Sequence, residues 1–274
     1  MSADCCFSTL LSAAQRGWLA CDGDEALLSL ALPIEGIDPL LALPQLAEQE
    51  SLQVLWDSAP GLCLAAAGPC QELELAGSRR FEQAQRFADL CLSRLHDTAP
   101  DSPAHARPRV LLRFRFFDQV SERRRSEAVV PSVQAVLPRW QLSRQGRRGW
   151  LRLNGVVSSA ADCRELAEQL WLKHEQLLKT PTTPPPLKPQ SLVAATEPET
   201  WRQRYAAALT RGIDLVNSGD LHKLVLAVRH RIVLADTFDP LPLLKRLRRQ
   251  QAGSCRFLWP VSYTHLRAHE TRYD

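Results

Sequence analysis

With 274 residues, 45% of them hydrophobic, the chain is long enough for one large globular domain or two smaller ones and too apolar to be disordered. The formal net charge is only +4, and the densest basic run, Arg123-Arg124-Arg125, lies between Glu122 and Glu127 in a loop-like stretch, which reads as a solvated turn and not a nucleic-acid surface. No apolar run reaches the roughly eighteen residues that span a bilayer. The first residues lack a basic region followed by an apolar core, and the eight cysteines include no C-x-x-C pair; reduced thiols in a cytoplasmic protein are expected, with neither nucleic acid nor membrane as partner.

In chain order, residues 25–33 form an apolar run that predicts a strand, followed by the punctuated segment PIEGIDP and a helix ending near Glu50. Residues 52–56 and 62–67 read as strands joined by the turn Asp57-Ser58-Ala59-Pro60-Gly61, with Trp56 expected in the core. Phe81, Ala84, Ala88, Cys91 and Leu95 recur at threes and fours and predict a helix. After a loop at 100–108, the run RVLLRFRFF alternates, placing Val110, Leu112, Phe114 and Phe116 on one face and Arg109, Arg113 and Arg115 on the other. Strands are predicted at 128–137 and 140–144, broken by Pro138, and at 150–153 after a turn at 146–149. A helix over 160–179 carries Leu166, Leu170, Trp171 and Leu177.

Residues 179–191, KTPTTPPPLKPQS, continue neither helix nor sheet and read as an extended connector. Thr196 and Glu199 match a capping box, with Pro198 in the first turn. The helix that follows aligns Trp201, Tyr205, Leu209, Ile213 and Val216 in one apolar stripe, and Ser218-Gly219 ends it. The next run, up to Val233, alternates as a half-buried strand, with Leu224, Leu226, Val228 and Ile232 on one face and Lys223, Val225, Ala227 and Arg229 on the other. A further helix starts at Asp239-Pro240, carries Leu241, Leu244 and Leu247, places Lys245, Arg246, Arg248 and Arg249 near its C-terminal end, and stops at Gly253. Residues 254–259 read as a last strand.

A lysine at the start of a strand is, taken alone, most often a solvated sheet end. The run Lys223-Leu224-Val225-Leu226-Ala227, however, follows a helix, a glycine and three residues. In that setting it resembles the opening of the chorismate-binding domain shared by isochorismate synthases, salicylate synthases, anthranilate synthase large subunits and aminodeoxychorismate synthases. Thinner likenesses precede it: Trp56, Ala66 with Gly68, and Arg80-Phe81 resemble features of the N-terminal part of isochorismate synthases, and Asp118 matches the aspartate of a "GGFxFD" strand whose glycines are absent here. Val228 stands where many relatives have arginine, with Arg229 and Arg231 beyond it.

The resemblance implies an α+β fold of large mixed and antiparallel sheets with packed helices, like anthranilate synthase component I, and incomplete in this chain. Residues 1–178 would form the N-terminal half, 179–195 a linker and 196–260 the start of the chorismate-binding domain. By resemblance, Lys223 is the general base that activates water for addition to chorismate in isochorismate and salicylate synthases, where ammonia-using relatives have glutamine. A general base must be uncharged part of the time, and burial against apolar neighbours such as Val225 and Ala227 is the expected means. The implied activity is isochorismate synthase, with salicylate synthase, another chorismate-utilising enzyme, or a non-catalytic binding module as alternatives.

The family pattern stops near residue 260. Residues 261–274, VSYTHLRAHETRYD, resemble a translated sequencing adapter, and their His265, His269 and Glu270 lack the order of a zincin site. The general acid, the substrate arginine and the carboxylates for Mg2+ that the resemblance implies have no matching positions, so the 274 residues by themselves are expected to be inactive.

Overall fold

The computed structural model describes residues 7–21, 24–48, 50, 52–58, 61–116, 131–179, 192–195, 198–226, 232–234 and 239–259. The chain divides into two units, one of Met1–Pro185 with Pro240–Asp274 and the other of Pro186–Asp239. The second unit thus begins inside the stretch read as a linker. The expected domain over 196–260 supplies its last helix and strand to the first unit.

The first unit is built on a mixed eight-stranded sheet, with strands β1 (Ala26–Glu35), β2 (Gln53–Asp57), β3 (Leu62–Leu75), β4 (Leu95–Asp97), β5 (Leu111–Phe114), β6 (Val133–Gln145), β7 (Arg148–Val157) and β10 (Arg256–Leu258). Its order is β10-β2-β3-β6-β7-β1-β4, with β5 attached to β6. Neighbours are antiparallel except β1 and β4, which run parallel over Leu27–Leu95 to Ser29–Asp97.

Alternation along the strands separates two faces. Leu28, Leu30, Leu32 and Ile34 of β1 join Leu151, Leu153 and Val157 of β7 in the main core. Helices α1 (Phe7–Leu19), α2 (Pro39–Leu46) and α4 (Ala160–Leu178) close over this face with Leu10, Ala14, Leu40, Leu43, Leu46, Leu166, Leu170 and Leu177. Each leucine so buried contributes about 1.5–3 kcal/mol. Asp38 caps α2 by accepting from Leu40 N at 3.1 Å, and Ser159 caps α4 by accepting from Asp162 N at 3.1 Å. The opposite face carries the buried polar residues Ser29, Gln141, Ser143, Arg152 and Asn154 together with two smaller apolar clusters, Leu52, Val54, Ala66 and Val136, and Ala84, Val133 and Ala135.

Several elements depart from the sequence reading. Strand β6 runs unbroken through Pro138 because Pro138 stands opposite Pro69 on β3, so two residues without N–H groups share one rung beside a register shift at Pro69/Gln71. Strand β3 consequently continues to Leu75. Pro33 is tolerated within β1 because β4 pairs only with residues 27–29 on that side. Helix α1 and strand β4 carried no clear sequence signal. On β5, Leu111 packs inward and the Arg113 guanidinium lies over the Trp259 ring, whereas Leu112 and Phe114, and Phe116 beyond the strand, are exposed. Among the described residues β5 pairs with β6 alone, which leaves its other edge without a ladder partner. Trp56 is 47% exposed and stacks on Phe257 instead of entering the core.

Helix α3 (Arg80–Arg94) follows β3, burying Ala84 and Cys91 while Phe81 stays exposed and stacked on Phe114. Helix α6 (Pro240–Gln250) precedes β10.

Candidate active site

Lys223 belongs to the second unit, which contains β8 (Leu192–Ala195), α5 (Pro198–Asn217) and β9 (Ile232–Leu234). Strands β8 and β9 pair antiparallel, Leu192 with Leu234 and Ala195 with Ile232. Helix α5 ends as its sequence dictates. Gly219 adopts φ +81°, a conformation that costs a residue with a Cβ about 1–2 kcal/mol, and its N–H donates to Val216 O at 3.2 Å. Leu221 N donates to Leu215 O at 3.0 Å, and the Ser218 hydroxyl donates to Asp220 Oδ2 at 2.8 Å. These bonds turn the chain back over α5, where Leu224 lies on Gly212 so closely that any Cβ there would overlap its Cδ2.

The turn fixes the approach to Lys223, but the segment is not the strand that alternation predicts. Residues 221–226 have no regular structure, and among the described residues β9 covers 232–234. A strand needs a ladder partner for its N–H and C=O groups, and among the described residues β8 supplies one to residues 232–234 and none to 221–226. Lys223 is exposed and Val225 is 78% exposed, so Val225 does not bury the lysine. Leu209, Ile213 and Val216 of the α5 stripe are also substantially exposed. Ala227, Val228, Arg229 and Arg231 lie outside the described residues, as do Asp118, Thr196 and the 261–274 segment with His265, His269 and Glu270. Among the described residues, no group of three or more His, Cys, Asp or Glu side chains that could hold a metal ion is present.

Two buried charge clusters in the first unit went unread in the sequence. Arg152, fully buried on β7, donates to Asp97 Oδ1 at 2.6 Å, Ser29 Oγ at 2.8 Å, Ala106 O at 2.9 Å and Ser102 Oγ at 3.3 Å. Burial pulls the pKa of its guanidinium down, against the opposing effect of Asp97. In the second cluster Arg248 of α6 forks onto Asp38, with Nη1–Oδ2 at 2.5 Å and Nη2–Oδ1 at 3.2 Å, and donates from Nε to Asp57 Oδ2 at 2.7 Å. Arg256 donates from Nε to the same Asp57 oxygen at 3.1 Å, and Arg144 lies 3.6 Å from Asp38. Burial disfavours the charge of Arg248 most strongly, yet the hydrogen bonds and charges of Asp38 and Asp57 together raise its pKa. The helix-dipole argument accounted for a cation at position 248 but held no information on carboxylates 191 and 210 residues earlier in the chain. In both clusters the charges are committed to one another, which suits a structural role better than acid–base chemistry.

A sequence profile of the family described as chorismate binding enzyme matches residues 12–265. The chain belongs to the chorismate-binding enzyme family. The match reaches further toward the N-terminus than the likenesses read from motifs, which began near residue 50. A search of curated protein sequences finds no match. Among solved structures, the chain is similar to MenF, the menaquinone-specific isochorismate synthase from Escherichia coli, with a TM-score of 0.55 and 18% identity over 92% of this chain and 52% of that one. That likeness concerns the fold, and the chain spans about half the length of MenF. No helix among the described residues is long and apolar enough to cross a membrane.

Proposed function

We propose that these residues belong to an isochorismate synthase in which Lys223 is the general base. A water molecule gives a proton to the Lys223 amine as its oxygen bonds to C2 of chorismate. The ring double bonds shift, the C4–O bond breaks, and an acid on the opposite side of the ring protonates the departing hydroxyl, so that one water enters and one leaves. The observation that carries this reading is a lysine at position 223, four residues beyond the Gly219 turn, in a chain of the chorismate-binding family.

The exposure of Lys223 bears on where the rest of the site comes from: the water-excluding wall and the general acid are assigned to parts of the complete enzyme beyond these residues. The Mg2+ that would hold a substrate carboxylate is likewise assigned ligands outside this chain, and the proposed setting is cytoplasmic. Similarity to MenF in fold supports this reading at the level of architecture.

The test is to re-amplify the coding DNA downstream of residue 259, express the complete protein and incubate it with chorismate and Mg2+. Isochorismate without pyruvate is expected. Pyruvate release would identify a salicylate-forming relative, and a reading frame that ends at Asp274 with no turnover would reject the enzyme reading in favour of a binding module.

A further inference from the structure

Residues 240–258 bring the chain back from the second unit to the sheet of the first, and they are held there in an unusual way for a core element. Their contribution to the main core is Leu244 and Leu258, with Leu241 packed at its margin, whereas α4 alone places Cys163, Leu166, Ala167, Leu170 and Leu177 there. Strand β10 is three residues long and, among the described residues, pairs only with β2, at the edge of the sheet. The charged contacts are denser. Arg248 places Nε and both Nη atoms on Asp38 and Asp57, and Arg256 reaches the Asp57 carboxylate from Nε and the Asp57 carbonyl from Nη2 at 3.3 Å. Arg256 Nη1 also donates to Gln251 O at 2.8 Å, joining the end of α6 to β10.

Forked, charge-assisted bonds of this kind are strong and geometrically exacting, and a buried pair is costly to leave half made. Asp57, 1% exposed, is the shared acceptor. With it, three arginines (144, 248 and 256) face two carboxylates; without it, they face one. We propose that α6 and β10 form a strap fastened by this ionic latch, and that the strap detaches as a unit while β1, β3, β6 and β7 stay folded. The chain connectivity gives the device its consequence. The unit carrying Lys223 is continuous with α4 at one end and with α6 at the other, so a docked strap anchors both ends and a detached strap leaves only one anchored.

Native-state hydrogen exchange of the 274-residue chain tests this directly. In the wild type, amides of α6 and β10 are expected to share one protection level, at least about tenfold below that of β6 and β7. Asp57→Asn is expected to lower strap protection by about a further tenfold with β6 and β7 unchanged, and Arg248→Lys, which keeps the charge but loses the fork, to fall between. Equal protection of strap and β6–β7 in the wild type overturns the proposal. So does an Asp57→Asn protein that loses protection throughout the sheet or does not fold, because the latch would then be part of the global core.

Discussion

Replacing Arg152 with methionine isolates the contribution of one buried charge to the polar face of the sheet. The substitution keeps much of the side-chain volume and removes donors to Asp97, Ser29, Ala106 O and Ser102. Breaking one side of a buried ion pair costs about 3–5 kcal/mol, and each neutral acceptor left unpaired costs about 1–3 kcal/mol. Two features pull the sum down. The Asp97 side chain is 20% exposed and also accepts from Ala99 N at 3.0 Å, so it keeps a partner and gains water. The expected loss is therefore about 3 kcal/mol in urea unfolding, which for a domain of this size corresponds to a fall in Tm of roughly 6–12 °C. Asp97→Asn in the Arg152→Met background should cost much less than it does alone, giving a coupling of about 1 kcal/mol or more. The exposed pair of Arg79 and Glu82 supplies the control, since Arg79→Met should leave the urea midpoint unchanged. A loss below about 1 kcal/mol at Arg152, or strict additivity with Asp97, would refute the view that this charge is held by its partners.

Two further outcomes follow from particular residues. Gly219→Ala forces a side chain into φ +81° with no steric neighbour within 4 Å, so its cost is backbone strain alone, about 1–2 kcal/mol; faster amide exchange in the last turn of α5 and in residues 219–221, with the sheet of the first unit unaffected, is the expected signature. Burial raises the Cys63 thiol from an ordinary 9.0 to about 12 and the Cys70 thiol to about 11. The unfolded chain therefore loses these protons first, so stability is fully present below pH 9 and falls as pH rises from 9 toward 11 and 12. Urea midpoints measured from pH 8 to 11 should decline over that window, Cys63→Ala should flatten the decline, and an unchanged slope in that variant would contradict the cause assigned.

The elements that were legible in the sequence are those whose periodicity and caps are local. Helix α4 begins at its Ser159 cap, and α5 ends at Gly219, whose positive φ only glycine adopts freely. What escaped depends on partners distant in sequence. Pro138 looks like a strand break until Pro69 is placed opposite it. The alternation in 109–117 gives two faces but not which one is buried, because that is decided by β5 having β6 as its neighbour and by Trp259 lying under Arg113. The alternation around Lys223 suggests a strand, and residues 221–226 have no ladder partner among the described residues. Arg152 and Arg248 resemble ordinary surface cations in a linear reading, and only the sheet order brings Asp97 and Asp57 to them.

The role of Lys223 is the centre of the functional account, and kinetics of its variants in the complete enzyme test it most directly. With Lys223→Ala, kcat for isochorismate formation from chorismate is expected to fall by about 10²–10⁴-fold while KM changes by less than roughly threefold, as for the loss of a group that acts in the transition state. Turnover by Lys223→Ala within about threefold of wild type would contradict the assignment of Lys223 as the base.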